Sequence, residues 1–502
     1  MAAQSRTRAF AIVLKFDAGY SSAGFSRSPN ATPAIAARSD VSARPALDYR
    51  SPLAGRFPFA LATRLTLAVQ SPLPTSLSTT DASLPGGRRA QSLRASVRMM
   101  ALLAVCLSGC AGDRWISMRS NPQTPLSQRL SISRWKDPQP SERTATVLRR
   151  YSLLERFHDD PDAALGELHG WIERDPSPET VYAFAEAAYL TGKQLEPGRP
   201  EAALDYYCAA VTHDYLCLFD GRYYLKRNPY DPQYRAACDL YNGSLESALR
   251  LWQRDGDIRQ QHTVRTARQY WDIEVVTRSG RWGVDDIQEL KFASDYEVTG
   301  FNQRHETYGL GVPLIGIRKT QDGQSPCDKF YPPVVSTPVT AFLRICPPEP
   351  AVDRKQPARH KVLLELYDPL AGCDILVNGV RVPLESDLTT PLAYFLQQSS
   401  LESFANLGFF RPDSWEDQTG LYLTEPYDPE KIPVVFVHGL WSSPSTWSEM
   451  LNELRAVPQV RNNYQFWFYL YPTGQPFWFS AAQMRADLRE MRAAFDPQHR
   501  TA

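Results

Sequence analysis

The sequence predicts a multidomain α+β protein in which a helical domain over 141–265, a mostly β domain over 271–400 and a partial, doubly wound parallel sheet over 431–502 follow one another. Three observations carry that reading. Apolar residues recur at helical spacing from Ser141 to about Asp255, the period shifts toward two from Trp271, and the order strand, helix, strand, helix runs from Lys431 onward. With 502 residues, 43% of them hydrophobic and 11% aromatic, the chain has enough apolar surface for two or three cores.

Residues 1–98 are rich in Ala, Ser, Pro and Arg and show little sustained apolar periodicity. They are expected to be disordered, or a mis-called leader, because they bury too little to offset the entropy of ordering. They hold thirteen of the 55 basic residues and four of the 55 acidic ones, which leaves 42 basic against 51 acidic groups, a formal −9, in 99–502. A net acidic body without a basic stripe argues against a nucleic-acid partner.

Arg94 and Arg98 precede an apolar run, Met99–Leu107, that ends in Leu107-Ser108-Gly109-Cys110. Residues 99–110 resemble a bacterial lipoprotein signal and lipobox. The resemblance implies cleavage before Cys110, lipid on its thiol, attachment to a membrane through that anchor and a place in the cell envelope. A signal this far along implies a start codon assigned too early, and the plainer alternative is an apolar helix with a buried cysteine. The run is too short to span a bilayer. Residues 111–140 read as a linker.

In the helical domain, Ala185-Glu186-Ala187-Ala188-Tyr189 and Ala202-Ala203-Leu204-Asp205-Tyr206-Tyr207 lie in helices expected over 179–193 and 201–213. The pair resembles one tetratricopeptide-type helical hairpin, which implies either a docking surface for a protein partner or a small domain packing on its own chain. A further helix is expected over 245–253, with Ser244 of Asn242-Gly243-Ser244 as its cap.

Strands are expected over 271–277, 287–292, 312–319, 339–346 and 361–367, each dense in β-branched or aromatic residues. Asn378-Gly379, inside Ile375–Val382, supplies the two positive φ angles of a type I′ hairpin. Thr390 is the expected cap of the helix that Pro391 opens, and 401–430, rich toward its end in Asp, Pro and Gly, reads as a linker. His305, Asp368 and Asp374 are imaginable triad members, against the simpler reading that they are structural. Cys208, Cys217, Cys238, Cys327, Cys346 and Cys373 show no C-x-x-C or zinc-finger spacing, and there is no H-E-x-x-H, so no metal or cofactor is expected. Export would permit disulfides, and the pairing stays open.

The chemistry lies near the end. Ile432–Trp441 is a nearly continuous apolar run that ends at His438-Gly439, as a parallel strand buried on both faces does where it enters a turn. A helix with Met450, Leu451 and Leu454 on one face follows, then a strand over 464–471 and a helix over 480–495. Val434–Trp447 resembles the His-Gly oxyanion loop and following helix of the α/β-hydrolase family, particularly its esterase and lipase-like members. The resemblance implies an oxyanion donor at the backbone of Leu440, with Trp441 beside it, while His438 braces the loop and Gly439 lets it turn. It implies hydrolysis of a carboxylic ester or lipid through an acyl-serine.

No G-x-S-x-G occurs in the sequence, so the nucleophile, acid and base of such a site are not there, and His499 is read as solvated. The chain as written is therefore expected not to turn over. Either it is a truncated or frameshifted form of a lipid-anchored serine hydrolase, or it is a non-catalytic envelope lipoprotein acting as an interaction scaffold. Trp441, Trp447, Phe477 and Trp478 either line an apolar acyl pocket or belong to the core.

Overall fold

A computed structural model describes residues 10–13, 115–130, 138–224, 232–265, 270–319, 325–346, 359–399, 419–440 and 442–497. The expectations for Cys110 and its signal, for Trp441, for His499 and for 1–98 apart from 10–13 lie outside the described residues. The architecture is mixed α+β.

Several helices begin where the sequence caps them. A Thr124–Ser127 capping box opens Pro125–Arg129 (α1). Ser141 caps Glu142–Arg150 (α2), Leu154–Asp159 (α3) follows, and Asp160 caps Pro161–Arg174 (α4). Ser177, with Pro178 at the first helical position, opens Pro178–Leu195 (α5), and Pro200–Phe219 (α6) returns beside it. Both hairpin helices run beyond the spans expected for them. Buried Glu186 of α5 accepts hydrogen bonds from the backbone and hydroxyl of Ser141, at 2.6 and 2.8 Å, and so clamps the start of α2.

After Gly221–Tyr224 (α7) comes Pro232–Asp255 (α8), and here the structure corrects an expectation. Ser244 is not a cap. It is fully buried in the middle of α8, because Leu126 of α1 packs where Gly243 has no side chain: a Cβ there would sit 2.4 Å from Leu126 Cδ2. The Asn-Gly-Ser signal marks a close helix crossing, not a helix start.

Six strands build one sheet: His262–Arg265 (β1), Tyr270–Thr277 (β2), Ile287–Phe292 (β3), Val312–Arg318 (β4), Ser336–Ile345 (β5) and Arg359–Tyr367 (β6). Their order is β1-β2-β6-β5-β4-β3, with β2 and β6 the parallel pair. Past the last β4–β5 pair, Val312 with Ala341, the Tyr241 hydroxyl of α8 donates to Leu343 O at 2.6 Å and accepts the Leu343 N–H at 3.0 Å. A side chain thus completes the ladder where a strand ends. Leu126, helices α2 to α6 and α8, and one face of the sheet form a single core, so the helical and β segments share their interior.

The hairpin Asp374–Val377 (β7) and Val380–Pro383 (β8) turns on Asn378 and Gly379, with φ of 49° and 80°, as a type I′ turn requires. In Thr389–Gln398 (α9), Thr390 lies inside the helix and Asp387 takes the capping role expected of it. Asp387 Oδ1 accepts the N–H groups of Thr389 and Thr390, at 3.0 and 2.8 Å.

The stretch read as a linker contributes a strand, Gly420–Leu423 (β9), because Leu421 and Leu423 alternate inward. It joins Ile432–Val437 (β10) and Tyr464–Leu470 (β11) in a sheet ordered Phe10–Val13, β10, β11, β9. β10 and β11 are parallel, and the outer strands are antiparallel to them. Between the parallel strands run Ser448–Ala456 (α10) and Pro458–Arg461 (α11); Phe477–Phe495 (α12) follows β11. Leu451 of α10 packs with Val434, Phe436, Phe466 and Phe468, whereas Met491 of α12 packs with Val435, Trp467 and Tyr469. The two helices therefore cover opposite faces. Met450, expected beside Leu451, is exposed instead.

Candidate functional site

Parallel β10 and β11 end level, Val437 opposite Tyr469, so the loops that leave them lie at one edge of the sheet. Open parallel sheets bind ligands outside the carboxyl ends of their strands. His438, one residue past β10, is buried at 2% exposure. Its ring stacks on Tyr471, one residue past β11, with centroids 4.5 Å apart. The Tyr471 hydroxyl donates to His438 O at 2.8 Å, and the Tyr471 N–H approaches Nε2 at 3.4 Å. His438 Nδ1 lies 3.2 Å from Gly439 O.

Burial lowers the His438 pKa to about 4, so the imidazole is neutral at pH 7. With Nε2 facing an N–H and Nδ1 facing a carbonyl, the proton sits on Nδ1. Both nitrogens are engaged, and a base with neither lone pair nor proton to spare holds a loop instead of moving protons.

The far side of the loop is tied as well. The Trp447 indole N–H donates to Val437 O at 3.3 Å, and its ring stacks on Phe436 with centroids 5.1 Å apart. Ser442 Oγ and Thr446 Oγ1 are 2.5 Å apart, and Ser443 Oγ and Ser445 Oγ 2.7 Å. Between the tied ends Leu440 projects at the turn, 59% exposed. The arrangement presents backbone at the sheet edge on a fixed frame, which is what a hydrogen-bond donor to a developing oxyanion needs.

The remaining candidates are scattered. His305 Nε2 faces Glu453 of α10 at 3.2 Å, Asp368 accepts the Leu370 N–H at 2.8 Å in a tight turn, and Asp374 pairs with Arg381 on the β7–β8 hairpin at 3.2 Å. Burial pushes Asp368 up to about 6. Three side chains with three separate sets of partners make no triad. Trp447 is core, while Phe477 and Trp478 are 78% and 65% exposed. None of the six cysteines is in a disulfide, and among the described residues no three His, Cys, Asp or Glu side chains are grouped to hold a metal ion. Among the described residues no helix is long and apolar enough to cross a membrane.

Sequence reasoning missed Tyr471, the main brace of the loop. The signal was present: in parallel strands of matched register, the residues just past each strand are neighbours. Comparison with protein families, with curated proteins and with solved structures finds no match.

Proposed function

We propose that residues 431–497 are the oxyanion-loop portion of an α/β-hydrolase domain of the esterase and lipase-like kind, whose chemistry is hydrolysis of a carboxylic ester or lipid through an acyl-serine. One observation supports it above the others. A parallel strand pair with helices on opposite faces ends in a rigid His-Gly loop braced from the next strand by Tyr471. In this reading Leu440, with Trp441 next to it, offers the oxyanion donor, and His438 and Gly439 shape the turn. One such donor is worth roughly 3–4 kcal/mol of transition-state stabilisation, which without a nucleophile is no catalyst. The 502 residues, having no G-x-S-x-G, turn over no ester by themselves. A lipid on Cys110 would hold the protein at a membrane of the cell envelope.

The different-class reading is a non-catalytic lipoprotein scaffold. It draws little from the α5–α6 hairpin, since thirteen of the eighteen α5 residues are buried against the rest of the chain. Two experiments separate the readings. The full chain is treated with a serine-reactive fluorophosphonate, for which no labelling is expected; labelling would refute the assigned inactivity. Coding DNA is read for about 1,000 bases past the Ala502 codon in all three frames, roughly the span of the rest of a domain. A G-x-S-x-G with Asp and His downstream supports the hydrolase; its absence leaves the scaffold.

A further inference from the structure

A second site is built far from that loop in sequence and chemistry. A cleft of about 230 Å³ opens between α1, α8 and the segment 304–313, with 385–387 behind it. Its floor is buried polar structure. Asn242 of α8 donates to Gly309 O at 3.1 Å and accepts the Gly311 N–H at 2.7 Å, while Glu385 accepts the Gly309 N–H at 2.9 Å. Gly311 has a φ of +112°, and a Cβ on Gly309 would meet Pro383 O at 2.2 Å, so the segment takes a shape that other residues could not copy. Burying an amide and a carboxyl is costly unless they are bonded, and here they are bonded to the cleft wall. Burial also pushes Glu385 up to about 7, which lets it donate or accept near neutral pH.

The rim is charged, and most of its charges are already matched, while Arg119, also in the lining, donates to Tyr296 O and Gln123 Oε1. Arg304 lies 2.5 Å from Glu306 and 3.6 Å from Asp387; Arg235 lies 2.6 Å from Asp239 and 3.5 Å from Glu385. A cationic ligand would have to displace one of these guanidinium groups, and an anionic one would meet the carboxylates of Asp239, Glu306, Glu385 and Asp387 beside Arg119. A neutral ligand with many hydroxyls would displace none of them, because each hydroxyl donates to a carboxylate while accepting from a guanidinium or amide. Tyr308, 63% exposed on the rim, carries the Arg235 guanidinium 4.6 Å over one face of its ring and leaves the opposite face for an apolar C–H surface. Pockets for drug-sized ligands are mostly apolar and roughly 300–1,000 Å³; this cleft is smaller and ringed with polar groups, which rules against an acyl chain.

We propose that this cleft is a saccharide-binding site, taking a neutral sugar of one or two rings between Tyr308, Arg304, Glu306 and Glu385. It does not depend on the hydrolase reading. The test uses the full chain, with cellobiose, maltose and N,N′-diacetylchitobiose as probes in saturation-transfer NMR and calorimetry, and spermidine as the cationic control. The expected result is binding of at least one disaccharide at about 10 mM or below, weakened about tenfold by Tyr308→Ala and by Glu306→Gln. Both side chains are exposed enough that the melting temperature should hold. Binding of spermidine alone, binding of no probe, or disaccharide binding that both variants leave unchanged would each overturn the proposal.

Discussion

Tyr241→Phe tests whether the helical layer and the six-stranded sheet are one structure. The substitution keeps the ring, which sits 5.6 Å from that of Phe342, and removes a single oxygen. That oxygen makes two hydrogen bonds, at 2.6 and 3.0 Å, to the carbonyl and N–H of Leu343, and both residues are buried to 1% exposure or less. Each lost bond is worth about 1 kcal/mol net, and a buried backbone group left unpaired costs roughly 1–3 kcal/mol, so the expected loss is about 2–4 kcal/mol. Urea unfolding followed by tryptophan fluorescence reads it directly, since Trp252 and Trp271 are both fully buried in this core. The midpoint should fall with the slope unchanged. Tyr206→Phe is the control: its hydroxyl meets Asp162 at 2.8 Å on the surface, and its loss should cost below about 0.5 kcal/mol. If Tyr241→Phe costs no more than the control, the hydroxyl is not closing the ladder and the account of the shared core is wrong.

Gly243→Ala should destabilise the chain by roughly 1–3 kcal/mol although alanine favours helix, because the new methyl meets Leu126 Cδ2 at 2.4 Å; a melting temperature at or above wild type would contradict this. His438, with a pKa lowered to about 4, leaves the unfolded chain to take up the proton first as pH falls below about 6.5. Stability is therefore lost from about pH 6.5 down to 4, by roughly 3 kcal/mol more in wild type than in His438→Gln, and parallel profiles from denaturation at several pH values would refute it. Glu385 has the opposite sign: raised to about 7, it contributes stability that is complete below about pH 4.5 and lost as pH rises through 7. Glu385→Gln should flatten that decline, and an unchanged slope would show that the carboxyl is not buried as described. Trp478→Ser, at an exposed position, should change stability by less than about 0.5 kcal/mol.

What is legible in the sequence is whatever one segment decides alone. The strand Ile287–Phe292 falls where its β-branched and aromatic residues put it, although a bulge between Ile287 and Glu289 breaks its alternation, and the Asn378-Gly379 turn needs no context. Ser177 followed by Pro178 announces a helix on local chemistry. Errors cluster where a distant partner decides. Gly243 reads as a helix boundary until Leu126, over a hundred positions earlier, is seen to occupy its space. Leu421 and Leu423 look like part of a loop because two apolar residues make no pattern, and only the edge of β11 turns them into a strand. Thr390 is a local miss, since Asp387, three residues earlier, accepts two N–H groups at once. The cleft was invisible because its parts are distant: Asn242 and Glu385 meet across 143 positions.

The C-terminal sheet is also not a detachable module. Helix α9 lies between the two sheets: Ser336 of β5 donates to Pro391 O at 2.6 Å, and the Thr389 hydroxyl donates to Asn452 of α10 at 2.9 Å. Asn452 in turn donates to Gln303 O at 2.9 Å, and the His305 N–H donates to Thr389 Oγ1 at 2.9 Å. Thr389 and Asn452 are both buried, so separating 431–497 would leave paired polar groups without partners and would bare Phe436, Trp447 and Leu451, which now share a core with Phe395 and Leu396. The frame of the His438 loop is thereby set from two directions, by Tyr471 within its own sheet and by the α9–α10 lock behind it. A fragment that fails to bind or fold would report the loss of that lock, not the properties of the loop, and this is why the tests of the loop and of the cleft require the whole chain.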